Sequence, residues 1–390
     1  MVRPRKILKV LFVDHTSELS GGEIALLRLT SSLDRHQVQP SVLLFSDGPL
    51  AEELRKRDIS PIVYPLSSRL LQTRKSTPPT LSTLLVGGLS SLLFAVKLAQ
   101  FLHHHSFDLI HTNSLKADVL GGLAARLAGK PLLWHIHDRI EADYLPRRTV
   151  KLFRALCRKL PHYVIANSHA TLETLHLPPT KPSSVIYSGV DRSWFEEPIP
   201  LEPFCHGGPP RIGLIGRITP WKGQHIFLNA AQEFLRQGYD AEFYIIGSAL
   251  FEEHEYETKI RQLAQPIADK VVFTGFQKDI KAMIGQLDIL VHSSVIPEPF
   301  GQVVAEGMAA GRAVIATDGG GVKELMVNRH TGLLVPMNDA KALTDAMTYL
   351  VNHADEAKAM GRHARQRVRE HFTVEQMASR LTSFYYECLS

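Results

Sequence analysis

From Ile7 to Val335 the chain alternates short β-branched or leucine-rich runs with longer amphipathic stretches, and the alternation stops only once. The first series of runs is Ile7–Val13, Val42–Phe45, Ile62–Tyr64, Leu109–Thr112, Leu132–Ile136, Tyr163–Ala166 and Val185–Tyr187. The second is Arg211–Ile215, Glu242–Ile246, Val271–Thr274, Ile289–His292, Ala313–Thr317 and Leu333–Val335. Parallel strands need a helix-length crossover, so this rhythm predicts parallel sheets wrapped by helices. Between Ser188 and Pro210 five prolines (Pro198, Pro200, Pro203, Pro209, Pro210) with Gly207 and Gly208 break any regular element. A chain of 390 residues also exceeds one ordinary core. The expectation is two α/β domains, 1–190 and 211–372, joined by a linker at 191–210 and meeting at a cleft. A last helix occupies 373–390.

Composition, with 44% hydrophobic and 21% charged residues, is that of a globular protein. Charge is uneven: residues 1–160 hold 23 Lys and Arg against 13 Asp and Glu, and the remainder is acidic. A basic first domain suggests an anionic partner, a phosphorylated acceptor or a lipid surface, and no motif points to nucleic acid. Three scattered cysteines, Cys157, Cys205 and Cys388, fit neither a disulfide framework nor a zinc site, so a reducing cytoplasm is expected. The apolar run after Arg3-Pro-Arg-Lys6 contains Lys9 and ends at Asp14, which reads as a first strand rather than a signal peptide. Leu81–Phe101 is the most apolar segment, but serines, a glycine pair and Lys97 interrupt it, and a packed helix is expected.

In open α/β sheets, ligands bind beyond the carboxyl ends of strands. Two stretches placed there carry the chemistry. Glu298-Pro-Phe300-Gly301-Gln302-Val303-Val-Ala-Glu306 sets two glutamates around a Pro/Gly turn and the start of a helix. Eight helical steps would separate their backbones by about 12 Å. Glycosidase carboxyls sit roughly 5 to 9.5 Å apart, so this spacing suits two glutamates holding separate sugars at the ends of a diphosphate. Backbone N–H groups from Phe300 to Val303 can receive phosphate oxygens at the helix start. Gly216-Arg217-Ile-Thr-Pro-Trp-Lys222-Gly223 places two cations five residues apart around a turn, able to stabilise a leaving nucleoside diphosphate. The bland readings are a buried helical Glu306, a turn residue at Glu298 and solvated loop cations; Trp221 is read as packing.

Weaker signals surround these. Ser20-Gly21-Gly22-Glu23 opens a helix expected over Ile24–Leu33, and its glycines let backbone approach a ligand, although the dinucleotide fingerprint is absent. Gly319-Gly-Gly321 is of similar strength. In Trp134-His-Ile-His137-Asp138, alternation puts His135 and His137 on one face, either structurally or as hydrogen-bonding groups. No third ligand is spaced for zinc, and Asp-x-Asp clusters are absent, so no metal is expected. Arg147, Arg148, Lys151, Arg154 and Arg158 line one side of a helix whose other side carries Val150, Phe153, Cys157 and Leu160. That helix is either a solvated, packed element or a contact with an anionic membrane.

Together these residues resemble the retaining glycosyltransferases of family 4, whose GT-B fold faces two Rossmann-like domains across a cleft. The resemblance runs through Ser20-Gly-Gly-Glu23, His111-Thr-Asn-Ser114, His137-Asp138, Ile165-Ala-Asn-Ser168, Ser188-Gly-Val-Asp191, Gly216-Arg217, Lys222-Gly223, Glu298 to Glu306 and Thr331-Gly-Leu-Leu-Val335. It implies an acceptor-side domain at 1–190, a donor domain at 211–372 and a C-terminal helix crossing back to the first domain. Arg217 and Lys222 would neutralise the donor diphosphate, Glu298 would hold the transferred sugar and Glu306 the ribose hydroxyls. His137 would reach the donor sugar, Gly21 and Gly22 would line the donor and acceptor side, and backbone near Phe276 would meet the base. The implied reaction moves a hexose from a UDP- or GDP-sugar to a hydroxyl of a glycan, lipid-linked intermediate or small glycoside, with retention and without a catalytic metal or cofactor. A cytoplasmic protein is expected, with peripheral contact to the inner face of the membrane as an option. The alternatives are a GT-B epimerase or phosphorylase, or a non-catalytic nucleotide-sugar-binding membrane protein.

Overall fold

The computed structural model describes residues 6–66, 81–196, 204, 207–249 and 253–389, with residues 81–87 described in backbone only. Pro198, Pro200 and Pro203 of the expected linker lie outside the described residues. The chain divides into two units, Met1–Gly189 with Val374–Ser390, and Val190–Thr373.

Unit 1 is built on seven parallel strands: β1 (Leu8–Asp14), β2 (Val38–Leu44), β3 (Ile62–Val63), β4 (Leu109–Thr112), β5 (Leu132–Ile136), β6 (Tyr163–Ala166) and β7 (Ser183–Val185). Their order is β3-β2-β1-β4-β5-β6-β7. Direction of winding reverses between β1 and β4, the position at which such sheets open a crevice for ligands. One face carries Trp134, Phe153, Phe94 and Leu98, and the other carries Phe12, Leu26, Leu29 and Tyr385. The last helix, Val374–Leu389, belongs to unit 1, where its buried Met377, Leu381 and Tyr385 fill that second face.

Unit 2 has six parallel strands: β8 (Arg211–Ile215), β9 (Glu242–Ile246), β10 (Val271–Gly275), β11 (Ile289–His292), β12 (Ala313–Thr317) and β13 (Leu333–Val335). Their order β10-β9-β8-β11-β12-β13 reverses between β8 and β11. Central strands such as β11 and β12 are buried at every position, because helices cover both faces.

Departures from the sequence-based strands fall at a sheet edge or one strand in from it. β2 starts at Val38 and runs through Pro40, since β3 pairs only with Leu43 and Leu44 and the missing N–H of Pro40 faces no neighbour. β7 lies two residues before the Val-Ile-Tyr run, because its register is set by pairing Ser183 with Val164. The first helix spans Gly21–Ser32, so both glycines sit inside its first turn rather than before it. Ile24 N–H reaches Ser20 C=O at 2.9 Å, which closes that turn around the extended Ser20. The Leu81–His104 helix buries Phe94, Ala95, Leu98, Ala99 and Leu102 but leaves Leu89, Leu92, Leu93 and Val96 exposed. Among the described residues, no helix is long and apolar enough to cross a membrane.

Candidate active site

In unit 2 the loop after β8 and the turn after β11 meet at the reversal point. The one-turn 3-10 helix Pro220–Lys222 ends at Gly223, which has φ 71° and starts the Gln224–Arg236 helix. A Cβ at Gly223 would lie 2.0 Å from Ser293 C=O, so only glycine lets this loop approach the end of β11. Ser293 Oγ then donates to the carbonyls of Lys222 (3.2 Å) and Gly223 (3.0 Å), pinning the loop in place.

That anchoring sets Lys222 Nζ in direct contact with Glu298 Oε1. The same oxygen accepts from Ser294 Oγ at 2.7 Å and lies 3.2 Å from His292 Nε2. Glu298 is 8% exposed. Burial alone would raise its carboxyl, but the charge of Lys222 and the contacts of His292 outweigh it and hold the group well below the usual carboxylate range. Its backbone is fixed too: Gly321 N–H donates to Glu298 C=O at 2.9 Å, and Gly320 bridges Glu298 with φ 61°. A Cβ on Gly320 would stand 2.0 Å from Glu298 C=O. The Gly319–Gly321 run therefore packs against the glutamate turn.

The helix Gln302–Ala309 follows Gly301, its left-handed cap, and no side chain caps its first turn. Its opening N–H groups and dipole are disposed to take an anion. Val303 lies in this first turn, as does Gln302, whose Nε2 donates to Glu306 Oε1 at 3.3 Å. Glu306 is 8% exposed, more than one turn inside the helix. Phe300 turns its ring into the core against Phe372, at 6.2 Å between centroids, so any ligand contact there falls to backbone. Gly216 follows β8, with the Lys222 side chain 3.6 Å from the position a Cβ would take. Phe276 follows β10 and is 71% exposed.

Arg217 takes a different direction from Lys222. Its Nε lies 3.5 Å from Glu253, which also accepts from Thr219 Oγ1 at 2.6 Å. Trp221 carries both cations on its flanks, Lys222 Nζ at 4.5 Å and Arg217 Cζ at 6.0 Å from the ring centroid, so it does more than pack. Sequence reasoning missed His292, Ser294 and Glu253; the first two stand at the carboxyl end of β11, the one signal that marked them.

In unit 1 a polar cluster occupies the reversal point between β1 and β4. Asp14, fully buried at the end of β1, accepts from His15 N–H (2.6 Å), Ser114 Oγ (2.8 Å) and Asn113 Nδ2 (2.9 Å). Burial would raise its carboxyl, and these hydrogen bonds, with His15 nearby, bring it below its ordinary value. His137, one residue past β5, meets Asn113 Oδ1 through Nε2 at 2.9 Å, and burial lowers its imidazole to about 4. It is neutral at physiological pH. Gly22 backs onto His137, whose side chain lies 4.0 Å from the place of a Cβ, whereas Gly21 faces open space. Glu23 is buried beside Ser20, and burial together with the Asp14 charge pushes its carboxyl up to about 7. Behind the cluster, His135 packs at a tilt against His137, 3.9 Å between centroids, and contacts His111, which meets Tyr385 Oη at 2.5 Å.

On the Arg147–Lys159 helix, Arg147, Arg148, Lys151 and Arg158 are exposed, as is Leu152. Arg154 is not part of that solvent face: it binds Thr174 C=O, Ile140 C=O and Glu141 at 2.6–2.8 Å.

Residues 19–194 match the family model described as Glycosyltransferase Family 4, and residues 203–367 match the one described as Glycosyl transferases group 1. The chain belongs to glycosyltransferase family 4. Its GT-B architecture is shared with the crystal structure of HepE from Anabaena in complex with UDP and glucose, with a TM-score of 0.82, 25% identity and coverage of 97% of this chain and 99% of that one. The UDP-Gal:alpha-D-GlcNAc-diphosphoundecaprenol alpha-1,3-galactosyltransferase of Escherichia coli is 24% identical over 407 residues, 97% of each chain. The lipopolysaccharide core biosynthesis mannosyltransferase LpcC of Rhizobium leguminosarum bv. viciae is 32% identical over 232 residues, 58% of this chain and 64% of that protein. The first curated relatives matched by this family 4 chain are spanned over 46%, 64% and 58% of their own length.

Proposed function

We propose that the chain transfers a hexose from a UDP-sugar to a hydroxyl of a glycan or lipid-linked acceptor with retention of configuration. The observation that carries this reading is the Lys222–Glu298 contact at the reversal point of unit 2, directly before the uncapped helix at Gln302, in a family 4 chain. UDP is favoured over GDP by the likeness to HepE, solved with UDP and with UDP-glucose. A lipid-diphosphate acceptor is favoured by the full-length likeness to the E. coli galactosyltransferase.

In this reading Arg217 and Lys222 neutralise the diphosphate, and the first-turn N–H groups of the Gln302–Ala309 helix, reached past Gly216, Phe300 and Gly301, receive its oxygens. Glu298 accepts from hydroxyls of the transferred sugar and Glu306 from those of the ribose, while backbone near Phe276 meets the uracil. Within unit 1, Gly21 and Gly22 give backbone access to substrate, and neutral His137 hydrogen-bonds a sugar hydroxyl. The C1–O bond to the diphosphate breaks as the acceptor oxygen bonds C1 from the same face, and the departing phosphate oxygen takes the acceptor proton. Charge neutralisation is assigned to the two side chains rather than to a divalent ion. The exposed cations of the Arg147–Lys159 helix hold the protein at the inner face of an anionic membrane, where a lipid-linked acceptor resides. Screening UDP- and GDP-sugars for thermal stabilisation and for release of the nucleoside diphosphate tests the assignment. Stabilisation by GDP alone overturns the choice of nucleotide, and absence of turnover with every donor overturns the activity.

A further inference from the structure

We propose that Asn113, anchored by Asp14, is a positioning residue that holds His137 in the Nε2–H tautomer and leaves its Nδ1 as a hydrogen-bond acceptor for a substrate hydroxyl. The tautomer follows from the hydrogen-bond geometry together with the neutrality that burial imposes on the ring; the use of Nδ1 rests on the transferase reading.

Asp14 has no accessible surface and already receives His15 N–H and Ser114 Oγ on one oxygen. Its other oxygen faces the Asn113 side chain at 2.9 Å, and Gly22 C=O faces the same atom at 3.3 Å. An ionised carboxylate and a carbonyl are both acceptors only, so the Asn113 group between them is the NH2. Flipping the amide would set its oxygen against two acceptors, which fixes the assignment. Asn113 Oδ1 is then the atom 2.9 Å from His137 Nε2, and a carbonyl oxygen there demands a ring N–H. A neutral imidazole has one N–H, so Nδ1 carries the lone pair. Nδ1 makes no hydrogen bond among the described residues, and the half-buried ring is packed against the tilted ring of His135, 3.9 Å away between centroids. Asn113 is itself immobilised, its backbone N–H donating to Val13 C=O at 3.0 Å.

A ring presented in this way accepts from a hydroxyl and cannot donate to an oxyanion. That excludes His137 as an acid that protonates the leaving group. It makes the ring selective for a sugar bearing a free hydroxyl there.

Two measurements on the full chain test the proposal. In 15N-histidine-labelled protein, with His137 assigned by the loss of its signals in His137→Gln, long-range proton–nitrogen spectra should show an Nε2–H pattern in the wild type and a shift toward mixed tautomers in Asn113→Ala. An Nδ1–H or doubly protonated ring at pH 7.5 overturns the proposal whether or not the protein turns over sugar. UDP release from UDP-glucose and UDP-galactose supplies the second. Asn113→Ala should lower turnover about 10-fold or more at a temperature where the variant is still fully folded, and should add little in a His137→Ala background, the sign that it acts through the ring. Equal losses in both backgrounds assign Asn113 a merely structural role and overturn the positioning one.

Discussion

Lys222 Nζ touches the carboxylate of Glu298, 76 residues further along the chain, where both are largely withdrawn from solvent. Such a contact adds little net stability, because removing two charges from water costs about what their attraction returns. Its consequence is positional: a cation and a carboxylate are held side by side at the end of β11 before any substrate arrives.

Removing one partner leaves the other charge without its counter-charge and so costs some stability, but the larger effect expected is on turnover. Lys222→Ala and Glu298→Ala are expected to lower the rate of UDP release from a competent UDP-sugar by ~100-fold or more, the effect of deleting one preorganised charge at a developing anion. Circular dichroism should remain that of the wild type. Unchanged rates in both variants would remove the site from unit 2.

Gly320 gives a prediction about the turn rather than the charge. With φ 61° and a Cβ position 2.0 Å from Glu298 C=O, Gly320→Ala incurs left-handed strain of about 1–2 kcal/mol and in addition displaces the glutamate turn. A lower melting temperature together with weaker UDP binding is expected. Wild-type stability and UDP affinity in this variant would show that the run does not support the turn.

Much of this architecture was legible in the chain. Central strands such as Leu132–Ile136 and Ala313–Thr317 stand out because burial on both faces favours runs that are mostly apolar. Edge strands do not, since register against a neighbour, and not composition, places Ser183–Val185. At the site, Gly216 to Gly223 and Glu298 to Glu306 were recognisable as local motifs. Their meeting depends on strand order, which only the resemblance implied. Asp14 and Asn113 were not marked as site candidates because each finds its partner after a different strand, His292 was marked only by its place at the end of β11, and the direction taken by Arg217 depends on Glu253, in a segment with no motif of its own.

Glu23 supplies a dependence on pH. Its carboxyl loses a proton near 4.5 in the unfolded chain and near 7 in the folded one, under burial and the Asp14 charge. Between those values unfolding releases a proton, so stability falls as pH rises through the window and levels off above it. Glu23→Gln removes this penalty. The variant should melt higher than wild type at pH 8, by at most about 3 kcal/mol in unfolding free energy, and match it near pH 4.5. A difference independent of pH would contradict the raised carboxyl.

The basic helix yields the last prediction. Arg147, Arg148 and Lys151 are exposed, whereas Arg154 is committed to Thr174, Ile140 and Glu141, so neutralising the first three leaves the packing of Val150, Phe153 and Cys157 intact. Each cation near an anionic leaflet contributes about 1 kcal/mol, so changing all three to Gln should weaken partitioning onto anionic liposomes by roughly 100-fold. Wild-type binding should also fade with added salt, as screening shortens the reach of the surface potential. If the triple variant sediments with anionic vesicles as the wild type does, the cations are not the anchor, and the exposed Leu89, Leu92, Leu93 and Val96 of the Leu81–His104 helix become the surface to mutate next.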